Sequence, residues 1–139
     1  MGKPHHLMAL RFFNTLSQQV ETFTPMDGNT VRMYTCGPTV YNYVHIGNLR
    51  TFTFQDILRR WLRTRGFTMN HVMNITDVED KIIAAVRKSG RELNDYTAEF
   101  EKAFLDDFDA LNCVRPHELP HATDFIAEIV RLIEELVAQ

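Results

Sequence analysis

Cysteine is scarce in this chain: Cys36 and Cys113 are the only two among 139 residues. That excludes a disulfide framework. There is no Cys-x-x-Cys pair either, so a tetrahedral zinc site would need ligands from distant residues or from outside the chain. Long apolar runs are missing too. None approaches the ~18 residues of a membrane span, so no membrane-spanning helix is expected. Residues 7–10, behind Met-Gly-Lys-Pro-His-His, are too short for the core of a signal peptide. Cytoplasm is the expected location. Positive charge is not in excess: the formal net charge is −3, which gives no sign of a strongly basic nucleic-acid surface. Arg50, Arg59, Arg60, Arg63 and Arg65 fall on one predicted helix and read as a solvated face. The remaining composition, 45% apolar and 24% charged, is that of an ordinary globular protein. The length suits one domain, or one plus a piece of another.

What is present is organised around residues 35–48, Thr-Cys-Gly-Pro-Thr-Val-Tyr-Asn-Tyr-Val-His-Ile-Gly-Asn. A short apolar run over 31–35 precedes it and reads as a strand. A helical pattern over 49–65 follows it. A thiol therefore stands at a strand end, a histidine stands just before a helix, and Gly37 and Gly47 permit close backbone approach. In α/β sheets, ligands bind where strands end and helices begin, because free N–H groups point into that crevice. A nucleotide or another anion is the expected ligand.

Before this stretch, residues 10–16 form a short apolar element. Pro25 and Asp27-Gly28 are turn signals, giving a hairpin-like lead-in to the strand. In the helix 49–65, Phe52, Leu58 and Leu62 share a stripe, with Phe54, Ile57 and Trp61 beside it. Trp61 reads as core, and Gly66 as the left-handed residue that ends the helix. Residues 67–75 read as a second strand, giving a strand–helix–strand unit. Thr76 and Glu79 fit a capping box opening a helix over 77–89, closed by Gly90. In a helix over 94–112, Tyr96, Phe100, Phe104, Phe108 and Leu111 repeat at core spacing. Pro116 and Pro120 predict an extended linker. Thr123 or Asp124 then caps a last helix with the stripe Phe125, Ile129, Leu132, Ile133 and Leu136. That pattern is still running at Gln139, and two parallel strands are too few for a doubly wound sheet. The expectation is the front of a larger protein.

A histidine at a helix N-terminus can donate to an anion already drawn there. Charge developing on a polyphosphate in an in-line transfer is stabilised by such donors. For Cys36 three roles stand open on the pattern alone: buried thiol, zinc ligand, or nucleophile with His45 as base. Asn74 and Asp77 lie at the second strand's carboxyl end, beside the expected crevice.

Met33-Tyr-Thr-Cys-Gly-Pro-Thr-Val-Tyr41, His45-Ile-Gly-Asn48 and Asn74-Ile-Thr-Asp-Val-Glu-Asp-Lys-Ile-Ile83 together resemble the amino-terminal part of the cysteinyl-tRNA synthetases, class I aminoacyl-tRNA synthetases. Phe13-Asn-Thr-Leu16, residues 107–111 and Arg115-Pro116 fit the same family, so the resemblance runs from about Leu10 to the end. It implies an α/β, Rossmann-like nucleotide-binding fold, of which this chain holds the first half. Residues 1–93 would be that half with its lead-in, and 94–139 the start of the helical inserted (connective) segment. It implies ATP, with Mg, bound by Pro38, Thr39, His45, Gly47 and Asn48, of which His45 and Asn48 would be catalytic. Cys36 would ligate zinc, and Gly37 and Thr76 would line the cysteine pocket. The implied activity is that of a cysteine--tRNA ligase: cysteine and ATP give cysteinyl-adenylate, and tRNA(Cys) takes the cysteinyl group. Zinc suits the task because a soft metal–thiolate bond rejects the hydroxyl of serine.

This sequence departs from the family at two points. The signature usually ends in histidine, whereas Asn48 stands here and cannot become cationic; slower adenylate formation is expected. The chain also stops before the family's other zinc ligands, its Lys-Met-Ser-Lys-Ser loop and its anticodon-binding region. Alone it is expected to hold zinc weakly and catalyse little. Two alternatives are a ligase that passes cysteine to an amino-sugar, and a degenerate fragment without catalysis.

Overall fold

A computed structural model describes residues 9–139; residues 1–8, read above for a targeting signal, lie outside the described residues. Among the described residues no helix is long and apolar enough to cross a membrane. The architecture is mixed α/β. Its centre is a parallel pair, β3 (Thr30–Thr35) and β4 (Thr68–Met73), joined by the crossover helix α1 (Ile46–Thr64). The expected strand–helix–strand unit is therefore present, in register Thr30↔Thr68 to Thr35↔Met73.

The lead-in differs from expectation. The hairpin forms earlier in the chain, between β1 (Arg11–Asn14) and β2 (Gln19–Thr22). Asn14 Oδ1 accepts the Leu16 N–H at 2.9 Å, and Gln18 takes the left-handed conformation (φ 60°) that a glycine would normally signal. The predicted Asp27-Gly28 turn is real, but it opens β3: the Thr30 N–H donates to the Asp27 carbonyl at 2.8 Å.

Helix α1 begins three residues before the expected start, because His45 caps it. Its end is as read, with Gly66 left-handed at φ 89°. Its buried face is Phe52, Gln55, Asp56, Arg59 and Leu62. Phe54, Ile57 and Trp61 are exposed, which corrects the reading of Trp61 as core; the Arg65 guanidinium lies 5.6 Å from its ring. Polar side chains occupy the middle of the packed face, which apolar spacing alone could not reveal. Arg59 is likewise buried rather than solvated. It donates to the carbonyls of Val114 (3.0 Å) and Arg115 (2.6 Å).

The capping box at Thr76 does not form. Helix α2 (Asp80–Ser89) starts at Glu79, which makes no side-chain cap. Thr76 instead extends the sheet: its N–H donates to the Pro38 carbonyl and its carbonyl accepts the Val40 N–H, both at 3.0 Å. Two ladder bonds in a packed segment outweigh one cap on an exposed one. Gly90 ends α2 at φ 70°, as read.

Helix α3 (Leu93–Ala110) buries Phe100, Phe104 and Phe108 in one cluster with Val40, Phe52, Met73, Ile75 and Cys113. Phe52 meets Phe104 edge-on, centroids 5.0 Å apart. Leu111, expected on this stripe, is exposed. The Pro-bounded stretch after α3 is extended as expected and also runs parallel to β4 as a third line of the sheet. The His117 N–H donates to the His71 carbonyl, Met73 N–H to Glu118, Ile75 N–H to Pro120 and Ala122 N–H to Ile75, at 2.8–3.1 Å. Pro120 contributes only its carbonyl, so its missing N–H costs nothing. Thr123 and Asp124 do not cap the last helix. A 3-10 helix (Ala122–Phe125) leads directly into α4 (Ile126–Val137), whose apolar stripe is exposed.

Candidate functional site

The site forms where β3 and β4 run out side by side. The approach of the two strand ends is closer than any side chain allows: a Cβ on Gly37 would lie 1.9 Å from the Asn74 carbonyl oxygen. Asn74 then ties the loop together. Its Oδ1 accepts the Tyr34 hydroxyl (3.1 Å) and faces the Gly37 N–H (3.4 Å), while its Nδ2 donates to Thr76 Oγ1 (3.0 Å). Cys36 sits between these bonded neighbours as an exposed free thiol. Its carbonyl faces the Gln55 amide at 3.4 Å, a contact that reaches it from α1.

The N-terminus of α1 makes the other wall. His45 is the N-cap, and its Nδ1 accepts the Gly47 N–H at 3.1 Å. An accepting Nδ1 puts the neutral ring's proton on Nε2, leaving that atom as a hydrogen-bond donor. Gly47 leaves room for the ring in this position: a Cβ there would come within 2.8 Å of His45 Cε1, so the imidazole would have to shift. Asn48 Oδ1 faces the His45 N–H at 3.4 Å and completes a capping box. The box expected at Thr76 and Glu79 is thus found at His45 and Asn48 instead. With neither the usual Ser/Thr nor Glu/Gln, it lacked a sequence signal.

Gly37, Pro38, Thr39, His45 and Asn48 line one cavity of about 200 Å³, together with residues 41–44. Gly47 lies under the His45 ring rather than in the lining, and Thr76 reaches the site through Asn74 and its pairing with Thr39. A second, more apolar cavity of about 310 Å³ opens between Tyr34 and Asn74 on the strand ends and Phe125 and Ile129 at the start of α4. Cys36 lines neither cavity. Among the described residues no three His, Cys, Asp or Glu side chains are grouped to hold a metal ion. One soft ligand at a strand end is what this stretch offers.

Behind the site, His71 is almost fully buried under α1. Its Nε2 lies 2.8 Å from the Thr35 hydroxyl. Burial, helped by the Arg59 charge, lowers its pKa to about 4, so it is neutral at pH 7. Cys113 is packed, and burial raises its thiol pKa. Asp77 is buried, and its carboxylate accepts both the N–H (3.0 Å) and the hydroxyl of Thr123. Sequence reading singled out Asn74 and Asp77 by position but could not assign their partners, which lie in contacts across the fold.

Comparison with known proteins gives these residues a context. The chain is 58% identical over 129 residues to the cysteine--tRNA ligase of Solibacter usitatus, covering 93% of this chain and 28% of that protein. It is 54% identical to that of Koribacter versatilis, over 93% of this chain and 26% of the relative. It is 49% identical to that of Chlamydia pneumoniae, over 96% and 28%. The chain thus spans little more than a quarter of the length of these curated relatives. The sequence pattern of the family described as tRNA synthetases class I (C) catalytic domain matches residues 22–139. With most of its length and all of the strand-end site inside that match, the chain belongs to the class I (C) tRNA synthetase catalytic-domain family.

Proposed function

We propose that this chain is the amino-terminal part of the catalytic domain of a cysteine--tRNA ligase. The parallel pair with its crossover helix is the first half of a Rossmann-like nucleotide fold. The observation that carries the reading is a juxtaposition at one strand end. An exposed Cys36 thiol stands beside the Asn74-tied Gly37 and Thr76, and the capped His45 stands across a cavity lined by Pro38, Thr39 and Asn48. ATP, with Mg, would bind on the His45 side, where the orphan N–H groups of α1 favour phosphate. The carboxylate of cysteine would attack the α-phosphate and release pyrophosphate. Nε2–H of His45 would donate to the developing charge. The terminal ribose of tRNA(Cys) would then accept the cysteinyl group.

Cys36 fits a zinc ion as a single exposed ligand, with the others supplied beyond the described residues. Bound there, zinc would supply selectivity for a thiol over a hydroxyl. The cavity of about 200 Å³ is smaller than the ~300–1,000 Å³ of complete ligand pockets, in keeping with one wall of a site. On this reading residues 1–93 hold the first half of the nucleotide fold with its lead-in, and residues 94–139 begin the inserted helical segment, whose helix α3 packs Phe104 and Phe108 against Phe52, Met73 and Ile75. Cytoplasmic residence follows from the same reading.

A chimera tests it, with this chain replacing the matching part of the Solibacter usitatus relative. It should catalyse cysteine-dependent ATP–pyrophosphate exchange and charge tRNA(Cys), and Cys36→Ser should remove discrimination against serine. Exchange without tRNA charging, but with charging of an amino-sugar, would replace the reading with the amino-sugar ligase.

A further inference from the structure

Asp77 carries a buried carboxylate that the proposed chemistry does not use. It lies outside both cavities at the strand ends, yet it is the immediate neighbour of Thr76. Consecutive residues here serve different partners. The Thr76 hydroxyl is held by Asn74, and the Thr76 backbone pairs with Pro38 and Val40 in the cavity loop. The Asp77 carboxylate takes the N–H and hydroxyl of Thr123, inside the 3-10 helix. Two further bonds hold this helix: the Ala122 N–H donates to the Ile75 carbonyl at 3.1 Å, and just before the helix His121 Nε2 lies 2.9 Å from the Glu101 carboxylate on α3, so the Asp77–Thr123 bond adds the side-chain tie to the backbone one. Beyond Thr123, Phe125 at the end of the 3-10 helix and Ile129 in the first turn of α4 form the far wall of the cleft over Tyr34 and Asn74. The 3-10 helix is therefore joined at one end to the strand-end loop and at the other to the cleft wall.

We propose that Asp77 is a positioning residue: its bond to Thr123 latches the 3-10 helix and α4 to the Thr76 strand, so each side holds the other in place. A displacement of α4 is then felt at Thr76 and, through two backbone bonds, at residues 38–40. By linkage, whatever orders the cavity loop also orders α4. That the loop receives cysteine and ATP rests on the proposed function; the latch itself does not.

Amide hydrogen exchange on the 139-residue chain decides the matter. In Thr123→Val the Val40 and Thr76 amides should exchange about 5- to 30-fold faster relative to the β3–β4 ladder, the effect of losing one buried bond. Thr123→Ser should restore them. Asp77→Asn, which keeps one carbonyl acceptor, should give an intermediate ratio and serves if the valine variant does not fold. Acceleration confined to the 3-10 helix and α4 overturns the latch. So does a uniform rise that leaves the ratio unchanged. No cysteine, nucleotide or metal enters the measurement, so its failure is distinct from failure of the ligase reading.

Discussion

One glycine and one asparagine show how much of the site is decided by single atoms. Gly37 was legible as a place of close approach, but the reason lies across the fold. The atom it would strike is backbone, at 1.9 Å, and a backbone oxygen cannot rotate aside. Gly37→Ala should therefore cost about 3 kcal/mol or more; a urea midpoint within error of the parent's would show that the strand ends can part. Asn48 was legible as a departure from the family signature. Its second task, facing the His45 N–H, was not, because asparagine at that position is not a recognised capping partner. Asn48→His in the chimera should raise the rate of cysteine-dependent pyrophosphate exchange, since a donor able to take up a proton then faces the cavity. An unchanged rate would mean that Asn48 already supplies all the family's histidine does.

At the scale of elements, the strands and helices were written in apolar periodicity, and α1, β4, α2 and α3 lie close to where it put them. The failures share a cause. The buried face of α1 is more polar than apolar, with Gln55, Asp56 and Arg59 between Phe52 and Leu62: Asp56 accepts the Val114 N–H at 2.9 Å and Arg59 holds two carbonyls of the same segment. Those bonds span more than fifty positions, and no local pattern announces them. His71 belongs to this layer and gives it a pH signature. Its pKa is about 4 in the fold against 6.5 ordinarily, so the unfolded chain binds the extra proton first. The contribution is complete above about pH 6.5 and is lost as pH falls toward 4, amounting to about 3 kcal/mol. Urea midpoints at pH 7 and pH 4.5 should separate by more in the parent than in His71→Asn. Equal separations would show that His71 protonates without penalty.

Across the whole molecule, the described residues present a cavity at the strand ends and, on α4, an exposed apolar helix face. With a single soft ligand at Cys36 and no further group among the described residues, the purified 139-residue chain should hold well under one zinc per chain after dialysis. Stoichiometric metal by elemental analysis would reveal ligands that neither sequence nor fold suggests. The core has an order in time as well as in space. Phe52, Met73 and Ile75 wait for Phe104, Phe108 and Cys113 to cover them, and β4 waits for Glu118 and Pro120. On a ribosome adding roughly 5–20 residues per second, the interval between making Met73 and making His121 is roughly 2 to 10 seconds. Throughout it, the nascent chain offers a bare strand edge and uncovered aromatics to chaperones, proteases and neighbouring polysomes.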